Sequence, residues 1–123
     1  MTGEFIQIVE DEGLIALHLT EILERAGYRV INLACSGEMA IRLLEKSPKP
    51  NLIIMDIGLA GSLNGIETAQ HIRRYCDIPI LFLTAYANIT KVEEMKNISS
   101  CSYLGKPYLE HDLLSAIENC LHL

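Results

Sequence analysis

NLIIMDIGLAG, residues 51–61, is the stretch whose reading decides the fold. Leu52, Ile53, Ile54 and Met55 run without a polar interruption into Asp56, and the chain then loosens into Gly58 and Gly61. A strand wetted on one side alternates apolar and polar residues, whereas one apolar at every position suits a parallel sheet covered on both faces. The carboxylate that ends the run is the anomaly. An ionised carboxylate is costly to bury unless something pairs with it. Asp56 either caps the next helix or stands at a strand end where chemistry happens.

Four more β-rich runs surround this one: FIQIV (5–9), YRVINL (28–33), IPILFLT (78–84) and CSYLG (101–105). Between them the apolar period lengthens to that of helices. Ile15, Leu19, Ile22 and Ala26 make one stripe, and Ile66, Ala69, Ile72 and Cys76 make another. Leu109, Leu113, Ile117 and Cys120 make a third near the C-terminus. A helix over about 37–46 offers Ala40, Leu43 and Leu44, and one over about 88–98 offers Ile89, Val92 and Met95. Boundary signals agree at Gly27, Ser36, Pro48, Pro50, Asn64 and Pro79. Strand and helix therefore alternate five times, which predicts an α/β fold with a five-stranded parallel sheet, doubly wound, and five helices. For so small a chain the flavodoxin-like strand order 2-1-3-4-5 is expected. The pattern fills residues 1–123 as one domain, with no effector domain expected in this chain.

Bulk composition narrows the partners. Half the residues are apolar but only 6% are aromatic, so the core is aliphatic. Sixteen acidic against ten basic residues give a net charge of −6, which supplies no field for direct binding of nucleic acid or an anionic membrane. No apolar run approaches the ~20 residues of a membrane span. Met1-Thr2-Gly3 opens no secretory signal, so a cytoplasmic location is expected. Cys35, Cys76, Cys101 and Cys120 form no CxxC pair, and the four histidines show no zinc spacing. They read as reduced, mostly buried thiols and ordinary histidines.

Where the remaining polar residues fall is more informative. A doubly wound sheet binds ligands outside the carboxyl ends of its strands, beside the switch in strand order. Glu10-Asp11-Glu12 follow strand 1, Asp56 ends strand 3, Thr84-Ala85 end strand 4, and Gly105-Lys106-Pro107 end strand 5. Each alone has a plainer reading. Asp56 can be a cap, Thr84 a β-former, Lys106 a solvated lysine, and the acidic run the first turn of helix 1, favoured by its dipole. Their convergence on one rim is what those plainer readings do not explain. Clustered carboxylates repel, so a divalent hard cation is expected among them, and oxygen-only ligands favour Mg²⁺ (or Mn²⁺) over zinc. Mg²⁺ characteristically keeps a phosphate in its shell. Asp56 is then placed as a carboxylate nucleophile forming an acyl phosphate. Lys106 and Thr84 would hold the transferred group, and Gly58 can offer a bare backbone carbonyl to the metal.

In order along the chain, the acidic pair at 10–11, MD at 55–56, NGIE at 64–67, TA at 84–85 and KP at 106–107 resemble the response-regulator receiver domains of bacterial and archaeal two-component signalling. The resemblance covers residues 5 to 121. It implies that Asp56 accepts phosphate from the phosphohistidine of a sensor histidine kinase or phosphotransfer protein. It implies Mg²⁺ bound by Asp11, Asp56 and the Gly58 carbonyl, with Glu10 acting through water. Lys106 would contact the phosphoryl group, its bond to Pro107 often being cis in such domains. Thr84 and Tyr103 would be the switch pair, repacking the surface of helix 4, strand 5 and helix 5, where partners or a second copy (a homodimer) dock. Such a domain is a phosphoacceptor with self-catalysed phosphotransfer and autodephosphorylation, not a free-standing enzyme.

The chain departs from that pattern at three places. Its acidic pair is Glu-Asp where Asp-Asp is commoner, and its loop GLAGSLNG lacks a proline and reaches Gly65 in nine residues rather than eight. Tyr86 and Gly58 stand at positions that tune phosphate lifetime in the family. A flavin module would need a Ser/Thr/Gly-rich phosphate loop after strand 1, where this chain has acids. A hydrolase of the haloacid dehalogenase kind would need an Asp at position 58. The closer alternative is a degenerate receiver that serves as an unphosphorylated binding scaffold.

Overall fold

A computed structural model describes residues 3–46, 48–59, 61–85 and 92–122. Five strands alternate with five helices: β1 (Phe5–Val9), α1 (Gly13–Arg25), β2 (Arg29–Ala34), α2 (Gly37–Lys46), β3 (Leu52–Asp56), α3 (Gly65–Arg73), β4 (Ile80–Ala85), α4 (Val92–Lys96), β5 (Cys101–Lys106) and α5 (Glu110–Leu121). The strands form one parallel sheet in the order β2-β1-β3-β4-β5, as the alternation predicts.

The uninterrupted greasiness of β3 follows from its central place. Leu52 and Ile54 join Ile6, Ile8, Leu81 and Leu83 in a core closed by α1 and α5. Ile53 and Met55 point the other way, into a core with Val9, Ile80 and Phe82 closed by α2 and α3. None of the four β3 side chains is more than 1% exposed. At about 1.5–3 kcal/mol per buried aliphatic side chain, they anchor the sheet.

Local signals set the boundaries. The Ser36 hydroxyl accepts the Met39 N–H at 3.1 Å to start α2, and Gly27, at φ +99°, turns the chain out of α1. A reciprocal cap starts α3: Asn64 Oδ1 accepts the Glu67 N–H at 2.8 Å, and Glu67 Oε1 accepts the Asn64 N–H at 2.9 Å. Pro79 has no N–H to give but its carbonyl accepts from Ile53 at 3.0 Å, and β4 begins at the next residue.

Some expectations are corrected. Leu109 is not part of the α5 stripe. It is the N-cap of that helix and 71% exposed, and the buried stripe is Leu113, Ile117 and Cys120. The acids after β1 are not the first turn of α1, which holds no acid; the helix begins at Gly13, and Glu12 is an N-cap whose side chain makes no capping bond. β5 runs one residue further than expected, which brings Lys106 into the strand, paired with Ala85. α4 is described only over Val92–Lys96, and Tyr86 and Ile89 lie outside the described residues. Among the described residues no helix is long and apolar enough to cross a membrane.

Candidate functional site

The strand order brings β1 and β3 side by side, with Val9 opposite Met55, so the residues that follow each strand meet at one rim. One carboxylate oxygen from each of Glu10, Asp11 and Asp56 lies within 4.8 Å of the others. The Lys106 ammonium reaches the same point from β5, with Nζ 3.6 Å from Asp56 Oδ1. The Gly58 N–H donates to that same oxygen at 3.1 Å. Asp56 is not a cap. α3 starts at Gly65 and its cap is Asn64.

Burial is uneven across the cluster. Glu10 is 4% exposed, whereas Asp11 and Gly58 are exposed. The Asp56 side chain is 14% exposed and that of Lys106 is 28%. Glu10 Oε2 accepts the Glu12 N–H at 3.1 Å, while its buried Oε1 has no hydrogen-bond partner among the described residues. Burial pushes the Glu10 carboxyl up from 4.5 to about 7, with the negative charges of Asp56 and Asp11 adding to it, and the Glu12 N–H and the Lys106 ammonium opposing it. Three carboxylates beside one ammonium leave an excess of negative charge. An orphaned carboxylate oxygen facing two others is the donor set a hard divalent cation needs, and thiolate and imidazole are absent from it. The residues therefore fit Mg²⁺.

Thr84 is 4% exposed, one position beyond Leu83, the register partner of Asp56, and its hydroxyl donates to the Ala85 carbonyl at 3.2 Å. Tyr103 pairs in register with Phe82 and is 50% exposed, in a groove with Met95 and Lys96 of α4. The Lys106–Pro107 peptide bond is cis. Sequence reasoning assigned no part to two neighbours of the cluster. Tyr108 lies close enough that burial first, and then the charges of Glu10 and Asp56, push its phenol above the ordinary range. Its place two residues after Lys106 was the available signal. Gly65 is the other: a Cβ there would stand 2.4 Å from the Asp56 carbonyl oxygen and 2.8 Å from Ile57 Cα. Only glycine lets the start of α3 lie against the backbone that carries the central carboxylate.

Residues 6–118 match the response regulator receiver domain. The chain belongs to the response regulator receiver family. It is 37% identical over 113 residues to the transcriptional regulatory protein PdtaR of Mycobacterium tuberculosis (strain CDC 1551 / Oshkosh), covering 92% of this chain and 54% of that protein. It is 41% identical over 108 residues to the uncharacterized transcriptional regulatory protein YrkP of Bacillus subtilis (strain 168), covering 88% and 45%. The chain thus spans about half the length of these curated relatives. Sporulation initiation phosphotransferase F of the same Bacillus strain is matched over 98% of its own length at 27% identity. Among solved structures, the signal receiver domain of a modulated diguanylate cyclase from Desulfovibrio desulfuricans G20 superposes with a TM-score of 0.86 at 33% identity, covering 98% of this chain and 94% of that one. The receiver-type fold and the membership in two-component response regulators stand on these likenesses together with the strand order.

Proposed function

We propose that this receiver domain is a Mg²⁺-dependent phosphoacceptor whose acceptor is Asp56. The observation that carries the reading is the 3.6 Å approach of Lys106 Nζ to Asp56 at the rim where Glu10 and Asp11 also converge. The Lys106 ammonium and the Gly58 N–H both contact Asp56 at Oδ1, so Oδ2 is the oxygen we assign to attack. The carboxylate attacks phosphorus of a phosphohistidine on a sensor histidine kinase or phosphotransfer protein; the P–N bond breaks and its electron pair returns to the imidazole. Asp11, Asp56 and the Gly58 carbonyl would hold Mg²⁺, with Glu10 through water. The cation's chemistry is to neutralise charge on the incoming phosphoryl oxygens. Lys106 neutralises a further oxygen, and the Thr84 hydroxyl donates to another once the group is in place. That movement vacates space for the Tyr103 ring to turn inward, and the α4-β5-α5 surface changes for a partner or for a second copy of the chain. The domain acts on itself and turns over no separate substrate.

The test is incubation with acetyl phosphate and Mg²⁺, read by intact mass. Wild type should gain one phosphoryl group, and Asp56→Asn should gain none while keeping its fold. Wild type and Asp56→Asn behaving alike would leave an unphosphorylated scaffold as the better reading. Thr84→Ala should still accept phosphate but lose the spectral response of Tyr103.

A further inference from the structure

The loop between Asp56 and α3 has no proline to stiffen it, and it is one residue longer than the pattern the chain resembles. Its start touches the acceptor directly, through the Gly58 N–H on Asp56 Oδ1. Leu59 is 6% exposed in the core beneath α2 and α3, and at the far end the Gly65 N–H returns to the Ile57 carbonyl at 3.2 Å. Between these points Ser62 Oγ donates to Glu38 Oε2 in the first turn of α2. The same carboxylate's Oε1 stands 3.8 Å from where a Cβ of Gly61 would lie, and Gly61 is at φ +104°, a conformation that favours glycine. A Cβ on Gly37 would meet Thr68 Oγ1 at 2.0 Å and Leu63 Cβ at 3.2 Å, so the first turn of α2 lies directly against both the loop and α3. The Ser62 hydroxyl holds the Glu38 carboxyl below the usual carboxylate range.

A proline restrains a loop by removing conformations from the unfolded chain. Here a side-chain bond from the neighbouring helix restrains it instead. We propose that Glu38 is a positioning residue for the acidic site: through Ser62 it straps the loop to α2, keeps Gly58 beside Asp56, and thereby sets the affinity for Mg²⁺. The inference rests on the receiver reading above, because it is the Gly58 carbonyl and Asp56 that must be held in place for the cation. Glu38 itself stands outside the ligand group.

Mg²⁺ titration of the intact chain, followed by calorimetry, tests this alongside amide hydrogen exchange of the loop without metal. Glu38→Ala and Ser62→Ala should each weaken Mg²⁺ binding about two- to tenfold, the range of one net hydrogen bond, and the double variant should lose no more than either. Both should exchange the Gly58 and Gly61 amides faster. Glu38→Gln should restore affinity and protection, since its amide oxygen still accepts from Ser62 while its charge is gone. Unmoved affinity in the alanine variants, additive losses, or a glutamine variant no better than alanine would each overturn the strap. Wild type that binds no Mg²⁺ would overturn the proposed function, and this inference with it; wild type that binds while the variants match it overturns the strap alone.

Discussion

Glu10 makes the stability of the protein depend on pH in a direction opposite to that of a salt-bridged carboxylate. Its carboxyl is raised from 4.5 to about 7, chiefly by burial, with Asp56, Asp11, Lys106 and the Glu12 N–H all acting on it. An unfolded chain releases that proton near the ordinary value, so between the two values the folded state holds a proton the unfolded state has lost. Stability therefore falls as pH rises through this window. The contribution is fully present below the unfolded value and gone above about 7. At about 1.36 kcal/mol for each step of one in pH, the displacement corresponds to roughly 3 kcal/mol. Glu10→Gln is neutral throughout and removes the effect. Urea unfolding in EDTA, at fixed ionic strength, should find the variant close to wild type at about pH 4.5 and more stable than wild type by up to roughly 3 kcal/mol at about pH 8. Comparing the two proteins at each pH cancels the acids they share, leaving Glu10 and its coupling to its neighbours. Saturating Mg²⁺ should stabilise wild type more at the higher pH, because the cation favours the charged carboxylate. A variant-minus-wild-type difference that is the same at both pH values would refute the reasoning.

Substitutions at three further positions test the framework that holds the site. Gly65→Ala should destabilise by about 1–3 kcal/mol in urea unfolding and slow phosphoryl uptake as well, because its Cβ meets backbone at 2.4 Å rather than a side chain that can swing away. Asn64→Ala removes the acceptor for the Glu67 N–H and should cost about 1 kcal/mol, read the same way. Arg73 donates to the carbonyls of Ser99 at 2.9 Å, Cys76 at 3.0 Å and Ile78 at 2.8 Å, tying the end of α3 to the segments entering β4 and β5. Arg73→Ala should lose about 2–4 kcal/mol, whereas Arg73→Lys, which lacks the planar fork, should recover only part of it.

The fold was legible because its signals are local and redundant. The LIIM run of β3 carries its two-sided burial in its composition, and Ser36, Asn64 and Gly27 mark the element ends through bonds or torsions spanning a few residues. Leu109 misled because apolar spacing reports a helical face only inside a helix, and this residue stands just before one. The convergence of Glu10, Asp11, Asp56 and Lys106 was legible for a different reason: once the strand order is fixed, residues at the strand ends are neighbours by topology. The hub at Arg73, the close approach at Gly65 and the bond from Ser62 to Glu38 were not legible. Each joins segments whose contact depends on the path of a loop, and neither periodicity nor turn chemistry encodes that path.

The destabilised state of Glu10 and the chemistry proposed for Asp56 are two sides of one electrostatic arrangement. A site built only for stability would give buried Oε1 a donor or replace Glu10 with an apolar residue, since an unsatisfied buried acceptor costs about 1–3 kcal/mol. Such a site would have nothing left to exchange for a cation. As it stands, a cation at the rim would relieve the repulsion among three carboxylates, and the free energy so recovered would add to its affinity. Thermodynamic reciprocity would then couple the two charges that the proposed function brings to the site. If the metal makes the rim tolerant of a phosphoryl group, the phosphoryl group must raise the affinity for the metal by the same factor. Lys106, 3.6 Å from Asp56, sets the limit of this coupling, because its ammonium already offsets part of the excess charge. Lys106→Ala should therefore tighten Mg²⁺ binding to the unphosphorylated protein while impairing phosphoryl transfer. Calorimetry showing weaker Mg²⁺ binding in that variant would mean the lysine organises the carboxylates rather than competing with the cation for them.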